Sequence, residues 1–297
     1  MKGLWTIARH ELTDSIRSRR VLVLLLLYVA GAVLATLLFV NVLQKIERQL
    51  VESLGLAAPS GAGGVTATLW RSDAFKRMLT HLAGDRALAE RLVSIPPLGL
   101  FHGWLAFAFG PALVMLTAST RISEEIHIGS VRYVLYRVPR ATWCLGKFIG
   151  QAAQIAVALL AGGVAAWAVG WARMEAFDGP GTAAAMLVFS AKAWIYLLAW
   201  LGLAFAVSQS CGVPNLAVAL GFVSLVALSI LTRVSERFAG EGWRRAWDAV
   251  HVLTPGAHRM GLWWGDAGHM VPAAAFLLAM SAAFLLLGHL RFARRDL

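Results

Sequence analysis

Six runs of about twenty residues that hold almost no charge set the limits on what this chain can fold into. They cover residues 21–43, 98–119, 148–171, 182–207, 213–232 and 271–290, and only the fourth carries a charged side chain, Lys192. A helix rises about 1.5 Å per residue and the hydrocarbon core of a bilayer is about 30 Å thick, so each run is long enough to cross it. Composition agrees, with 59% hydrophobic and 14% charged residues, where a soluble domain carries roughly 25% charge. The expectation is an all-α polytopic membrane protein with six transmembrane helices, forming a single transmembrane domain over 1–297. The first run exceeds a signal-peptide core and follows a segment of mixed charge, so it is expected to remain as an anchor.

Basic residues beside the spans set the orientation. An N-in, C-in arrangement places thirteen lysines and arginines in the cytoplasm against five carboxylates, a net of +8. The outer segments then carry +2, and Lys192 completes the chain's +11. These charges flank membrane spans instead of forming a stripe on a soluble domain, so anionic lipid headgroups are the expected partner and nucleic acid is not. Cys144 and Cys211 both fall on the reducing side, where no disulfide is expected.

The opening segment, 1–20, places Leu4, Trp5, Ala8, Leu12 and Ile16 on one helical face, with Lys2, Arg9, Thr13, Arg17 and Arg20 mostly opposite. That is the pattern of a helix lying in the headgroup plane, or of a basic flank that only fixes topology. The first outer loop, 44–97, holds a small-residue hinge at 55–64. A helix start at Ser72 and Asp73 leads into an apolar face of Phe75, Met78, Leu79 and Leu82, and a second turn carries Leu88, Leu92 and Val93. The last outer loop, 233–270, is rich in tryptophan at Trp243, Trp247, Trp263 and Trp264, which predicts short helices at the outer surface.

Catalytic readings find little support. The one Gly-Lys pair, Gly146-Lys147, is followed by Phe148 and lacks the upstream glycine of a phosphate-binding loop, so this chain is not expected to hydrolyse ATP by itself. Ser190, Ser224, His102 and His289 are scattered without a glycine-rich nucleophile setting. No histidine pair at i, i+4 lies within a span, so no metal site is expected. Lys192 sits roughly 15 Å from the outer end of its helix. It suits either a lysine that pairs with a backbone carbonyl or reaches the outer interface, or a residue of a substrate pathway.

The polar insert at 121–147 is more informative. Gly129-Ser130 offers a helix start, Val131, Val134, Leu135 and Val138 share a face, Arg132 and Arg137 extend elsewhere, and Pro139 ends the turn. The pattern fits a short amphipathic helix over 130–138, either docked on a partner or resting on lipid.

The run EEIHIGSVRYVLYRVPRATWCLGKFIG resembles the cytoplasmic loop of type-2 ABC (ATP-binding cassette) transporter permeases. Its matching positions are Glu124 or Glu125, Gly129, Ser130, Leu135, Pro139, Arg140, Gly146 and Lys147. The layout of an amphipathic start, six spans, a polar loop after the second and a basic tail extends the likeness over the chain. Among such permeases it is most similar to those associated with multicopper-enzyme maturation, through Pro255 and Arg259. The long first outer loop departs from that pattern and leaves the substrate open.

The resemblance implies a permease subunit of the bacterial inner membrane with no catalytic residue of its own. Two copies, or one copy with a homologous permease, would form the pathway. Two separate ATPase subunits holding ATP and Mg2+ would grip the insert as a coupling helix, through Glu124, Glu125, Gly129, Ser130, Arg132, Leu135, Pro139, Arg140 and Lys147. The opening helix, with Trp5, Leu12 and Ile16, would pack beside it. The cargo would be lipophilic, or the machine would transmit force to a periplasmic accessory protein. A membrane-embedded assembly factor or scaffold for periplasmic proteins is the rival from another class. An ion-coupled transporter would want carboxylates in its spans, and none of the six runs has one.

Overall fold

The computed structural model describes residues 2–17, 19–54, 77, 80, 85–174, 177–238 and 244–295. The hinge at 55–64, the helix start at Ser72 and Asp73, the face of Phe75, Met78, Leu79 and Leu82, and Trp243 lie outside them. Every regular element among the described residues is helical. In chain order these are α1 (Lys2–Arg17), α2 (Arg19–Leu54), α3 (Arg86–Val93), α4 (Pro97–Ala118), α5 (Arg121–Ile128), α6 (Val131–Leu135), α7 (Arg140–Arg173), α8 (Gly179–Ser210), α9 (Pro214–Phe238) and α10 (Arg244–Val252). A 3-10 turn (Pro255–His258), α11 (Arg259–Trp263) and α12 (Ala267–Ala293) complete the series. Six helices are long and apolar enough to cross a membrane: Val21–Ile46, Pro97–Ile128, Arg140–Arg173, Gly179–Ser210, Pro214–Phe238 and Ala267–Ala293. The protein is thus an all-α polytopic membrane protein.

Element ends differ from the apolar runs for local reasons. α2 continues to Leu54 because the residues after the run, QKIERQLVESL, are good helix formers without glycine or proline. α7 starts at Arg140, eight residues before its apolar run, because Pro139 is spent just ahead of the first turn. Gly110-Pro111 does not interrupt the second span: α4 runs through Pro111 without a break.

The described residues divide into two compact units. One comprises Val23–Ala106 and Val157–Ala191. Its centre is Val40, Leu98, Ala166 and Met186, bordered by Phe39, Trp167, Met174 and Phe177. Phe39 stacks on Phe101 with ring centroids 4.3 Å apart, and the indole of Trp167 donates to the Gly179 carbonyl at 2.9 Å. α3 starts on Asp85, whose carboxylate accepts the N–H groups of Ala87 and Leu88, and it buries Leu88, Ala89 and Leu92.

The other unit comprises Met1–Leu22, Phe107–Ala156 and Lys192–Leu297. Within it, α7 and α8 meet through an edge-on Phe148–Phe205 pair at 5.6 Å and a Trp194 indole that donates to the Ala152 carbonyl at 2.8 Å. Ser281 of α12 donates to the Leu198 carbonyl of α8 at 2.7 Å, giving a buried polar group its partner. The polar insert and the tryptophan-rich segment both belong to this unit.

Candidate functional site

The insert is built from three short pieces. α5 ends at Gly129, whose φ of 78° is the one left-handed residue among those described, a conformation in which glycine carries no Cβ penalty. α6 follows over five residues, shorter than the 130–138 helix expected from the pattern, because Tyr136 to Pro139 form a turn closed by Arg137 and Val138 N–H bonds to the Val134 carbonyl. α7 then begins. Ser130 lies just before α6 and donates its hydroxyl to the Glu125 carbonyl at 3.3 Å. Val131 is fully buried, Leu135 is half-buried, and Pro139 and Arg132 are exposed.

Beside the insert lies α1, and its seat is set by two glycines. A Cβ on Gly146 would stand 2.7 Å from Ile7 and 3.2 Å from the Leu4 carbonyl; one on Gly150 would stand 2.8 Å from the Glu11 side chain and 3.2 Å from the Ala8 carbonyl. The spacing of four residues puts both on one face of α7, so the backbones approach closely there. The packed stripe of α1 is therefore Leu4, Ile7, Ala8 and Glu11. Trp5 points away and is 69% exposed, Leu12 is half-buried, and the Ile16 side chain lies outside the described residues.

Glu11 on that stripe meets its charge partner 136 residues later. Lys147 Nζ lies 2.8 Å from Glu11 and 2.5 Å from Glu125, and Arg121 stands 3.8 Å from the other Glu11 oxygen. Glu11 and Lys147 are both buried, with the lysine also 5.5 Å from the Trp143 ring centre. One lysine thus fastens α1, α5 and α7 together. Glu124, one residue before, is half-buried in the first turn of α5.

Arg140 goes elsewhere. Its Nη1 donates to the carbonyls of Phe292, Ala293 and Arg295 at 2.8, 2.9 and 3.1 Å, and its guanidinium lies 5.4 Å from the Phe292 ring centre. The last carbonyls of a helix lack intrahelical donors and carry partial negative charge, so a guanidinium there satisfies both. Trp143 packs on the same Phe292 ring at 5.8 Å. The start of α7 is thereby clamped to the end of α12.

The outward face of the insert carries Ile128, Tyr133 and Tyr136 at 70%, 79% and 90% exposure, interleaved with exposed Arg132 and Arg137. Sequence reasoning followed the valines and missed these rings. The available signal was that two of the chain's four tyrosines fall within this insert. Glu11 was missed too, although it interrupts the apolar repeat of α1 at i+7 from Leu4.

Lys192, buried at 8% exposure, donates to the Trp264 carbonyl at 3.0 Å. The tryptophan-rich segment around it is held mostly by stacked rings and neutral hydrogen bonds, with an exposed Asp266–His269 pair at 2.8 Å. Ser235 and His251 are hydrogen-bonded at 3.0 Å, Phe238 stacks on Trp247 at 5.8 Å, and Trp264 stacks on His269 at 4.4 Å. In the other unit, His102 and Ser190, scattered in sequence, meet at 3.0 Å. Both are buried, so the hydroxyl is closed to a substrate. Among the described residues no three or more His, Cys, Asp or Glu side chains gather as a metal site.

Six apolar helices with a structured polar insert between the second and third define a multi-pass membrane protein. The family follows from the whole length of the chain: residues 5–297 match the model described as ABC-2 family transporter protein, and the chain belongs to that family. Membership makes it a transport subunit of an ABC transporter and implies partnership with an ATP-binding subunit. A comparison with curated proteins finds no match.

Proposed function

We propose that the insert is the surface on which a separate ATPase subunit docks, with the N- and C-terminal ends of the chain on the same, cytoplasmic, side of a bacterial inner membrane. The observation that carries this reading is the exposed face of Ile128, Tyr133 and Tyr136 with Arg132 and Arg137. Aromatic rings beside arginine are the side chains that dominate protein interfaces, and a partner cleft with apolar pockets and an acidic rim would match them. Glu125, Lys147 and Arg140 stand behind that face and tie it to α1, α7 and α12. A push on the loop therefore reaches the spans instead of bending the loop.

Two copies of the chain, as a homodimer or paired with a homologous permease, would form the pathway over two ATPases, which hold ATP and Mg2+. Closure of the ATPases would tilt the spans and export a lipophilic substrate, or transmit force to a periplasmic accessory protein. The narrower likeness to permeases of multicopper-enzyme maturation rests on Pro255, which opens the 3-10 turn, and Arg259, which opens α11. Anionic lipids would contact the basic flanks.

Purification in nanodiscs, with mass identification of bound chains and an ATPase assay, tests the reading. An ATPase should co-purify, and Tyr133→Asp with Tyr136→Asp should weaken its binding by about 30-fold or more, as for central interface residues. Charge reversal at Glu125 or Arg140 should leave ATP hydrolysis running while transport falls. An ATPase that binds the double tyrosine variant as tightly as the parent, or labelling of Tyr136→Cys only from outside the cell, would overturn the assignment. A protein that purifies with periplasmic partners and no ATPase would point to the scaffold reading instead.

A further inference from the structure

The joint between α4 and α5 is held by a side chain that belongs to neither helix. α4 ends at Ala118, α5 begins at Arg121, and Ser119 and Thr120 turn between them. The first N–H groups of a helix have no acceptor within it, and the residue just before the helix ordinarily supplies one from its side chain. Thr120 holds that position in a helical conformation and makes no such bond. The Ser208 hydroxyl oxygen, from α8, takes its place, accepting the N–H groups of Ile122 at 3.0 Å and Ser123 at 3.1 Å. All three residues are wholly buried, which leaves no room for water to substitute.

Further along, α5 is bound to α7 through Glu125 and Lys147, and to α1 through Arg121 and Glu11. Its covalent link to α4, by contrast, passes through a two-residue turn. Motion arriving at the docking loop is therefore delivered to α1, α7 and α8 through these bonds and to α9, which also packs on α5, and reaches α4 through the two-residue turn.

We propose that Ser208 is a positioning residue of the transport cycle: by capping α5 from α8, it makes α8 follow each tilt of the docking loop. This rests on the docking reading above for the source of the tilt, but not for the cap itself. A hydroxyl in this place is more than packing, because one oxygen serves two buried donors that nothing else reaches.

Hydrogen exchange followed by mass spectrometry on the full chain in nanodiscs tests both parts. In Ser208→Ala, amides at Ile122 and Ser123 should exchange roughly five- to tenfold faster, as expected for loss of a helix cap, while 113–118 in α4 stay as in the parent. Ser208→Thr keeps the oxygen and should restore the rate. Ser208→Cys, of similar volume with a weaker acceptor, should be intermediate and serves if the alanine variant does not insert. In the complex with its ATPase, a non-hydrolysable nucleotide should change exchange over 203–210 in the parent and in Ser208→Thr, and should leave Ser208→Ala unmoved. Parent-like exchange at Ile122 and Ser123 without the hydroxyl overturns the cap, and a parent-like nucleotide response in Ser208→Ala overturns its role in the cycle. If no ATPase binds, the docking reading and the role in the cycle fall together, while the exchange rates still decide the cap.

Discussion

The polar insert and the tryptophan-rich segment belong to the same compact unit, yet they are held by different forces. Around the insert the fastenings are charged: the buried Lys147 between Glu11 and Glu125, and the half-buried Arg140 on the carbonyls that end α12. Around the tryptophans they are mostly stacked rings and neutral hydrogen bonds, with Lys192 on a carbonyl and an exposed Asp266–His269 pair. Buried ion pairs tolerate little displacement, because separating them leaves uncompensated charge. Stacked rings and neutral bonds re-form in shifted geometries at small cost. The contrast suits an end that is gripped and an end that rearranges.

Removing one charge from the insert is the strongest way to break this comparison. Lys147→Met leaves the buried Glu11 with only Arg121 at 3.8 Å and the half-buried Glu125 without its partner, and should cost toward the lower end of about 3–5 kcal/mol in unfolding experiments in detergent. Adding Glu11→Gln and Glu125→Gln should recover most of that loss. A single variant as stable as the parent would show that the cluster is not buried as described. Arg140→Ala should cost about 1.5–3 kcal/mol, since it removes charge-assisted bonds to the end of α12, and exchange of the final turn of α12 should rise with it.

At the tryptophan end the expected effects shrink. Lys192→Met removes both the charge and its need for a partner, so a loss of about 1 kcal/mol is expected. Unchanged flux in that variant, with normal insertion, would mark the lysine as a tether of the Trp264 carbonyl and remove it from the pathway. Smallest of all is the effect at Asp266, which accepts the His269 N–H at the start of α12 and whose carboxyl is held below its ordinary 3.8 chiefly by the His269 side chain. A carboxyl depressed in the folded state stabilises above its unfolded value and ceases to do so as pH falls through its folded one. Protection of the first turn of α12, taken against the intrinsic amide exchange rate at each pH, should therefore be steady from neutral pH down to about 4 and weaken only below it.

All six spans were legible because bilayer thickness and helical rise convert directly into a run length. The ends were less so. α2 and α7 run past their apolar stretches, since polar residues with good helix propensity extend a helix without changing its hydropathy. In the insert the apolar repeat located α6 but not its face: Val131 is buried as the pattern required, whereas Tyr133 and Tyr136 are presented outward. Glu125 and Lys147 were singled out by resemblance, but Glu11, the second carboxylate on Lys147, was not. Periodicity reports on neighbours within two turns, and this bond closes over 136 positions. Ser208 escaped for the same reason, lying 86 positions from the amide it serves. The seat of α1 was not legible from its own repeat, because it is dictated by Gly146 and Gly150 on another helix.

That seat has a bearing on how the protein is made. Gly146 and Gly150 leave the ribosome well over a hundred residues after α1, and at roughly 5–20 residues per second the interval is on the order of 10–30 seconds. During synthesis the opening helix must wait at the headgroups on its own amphipathic grip, with the Glu11 carboxylate still hydrated. Insertion of the third span then brings both the groove and the lysine in a single event, so α1 reaches its final place only once three of the six spans are in.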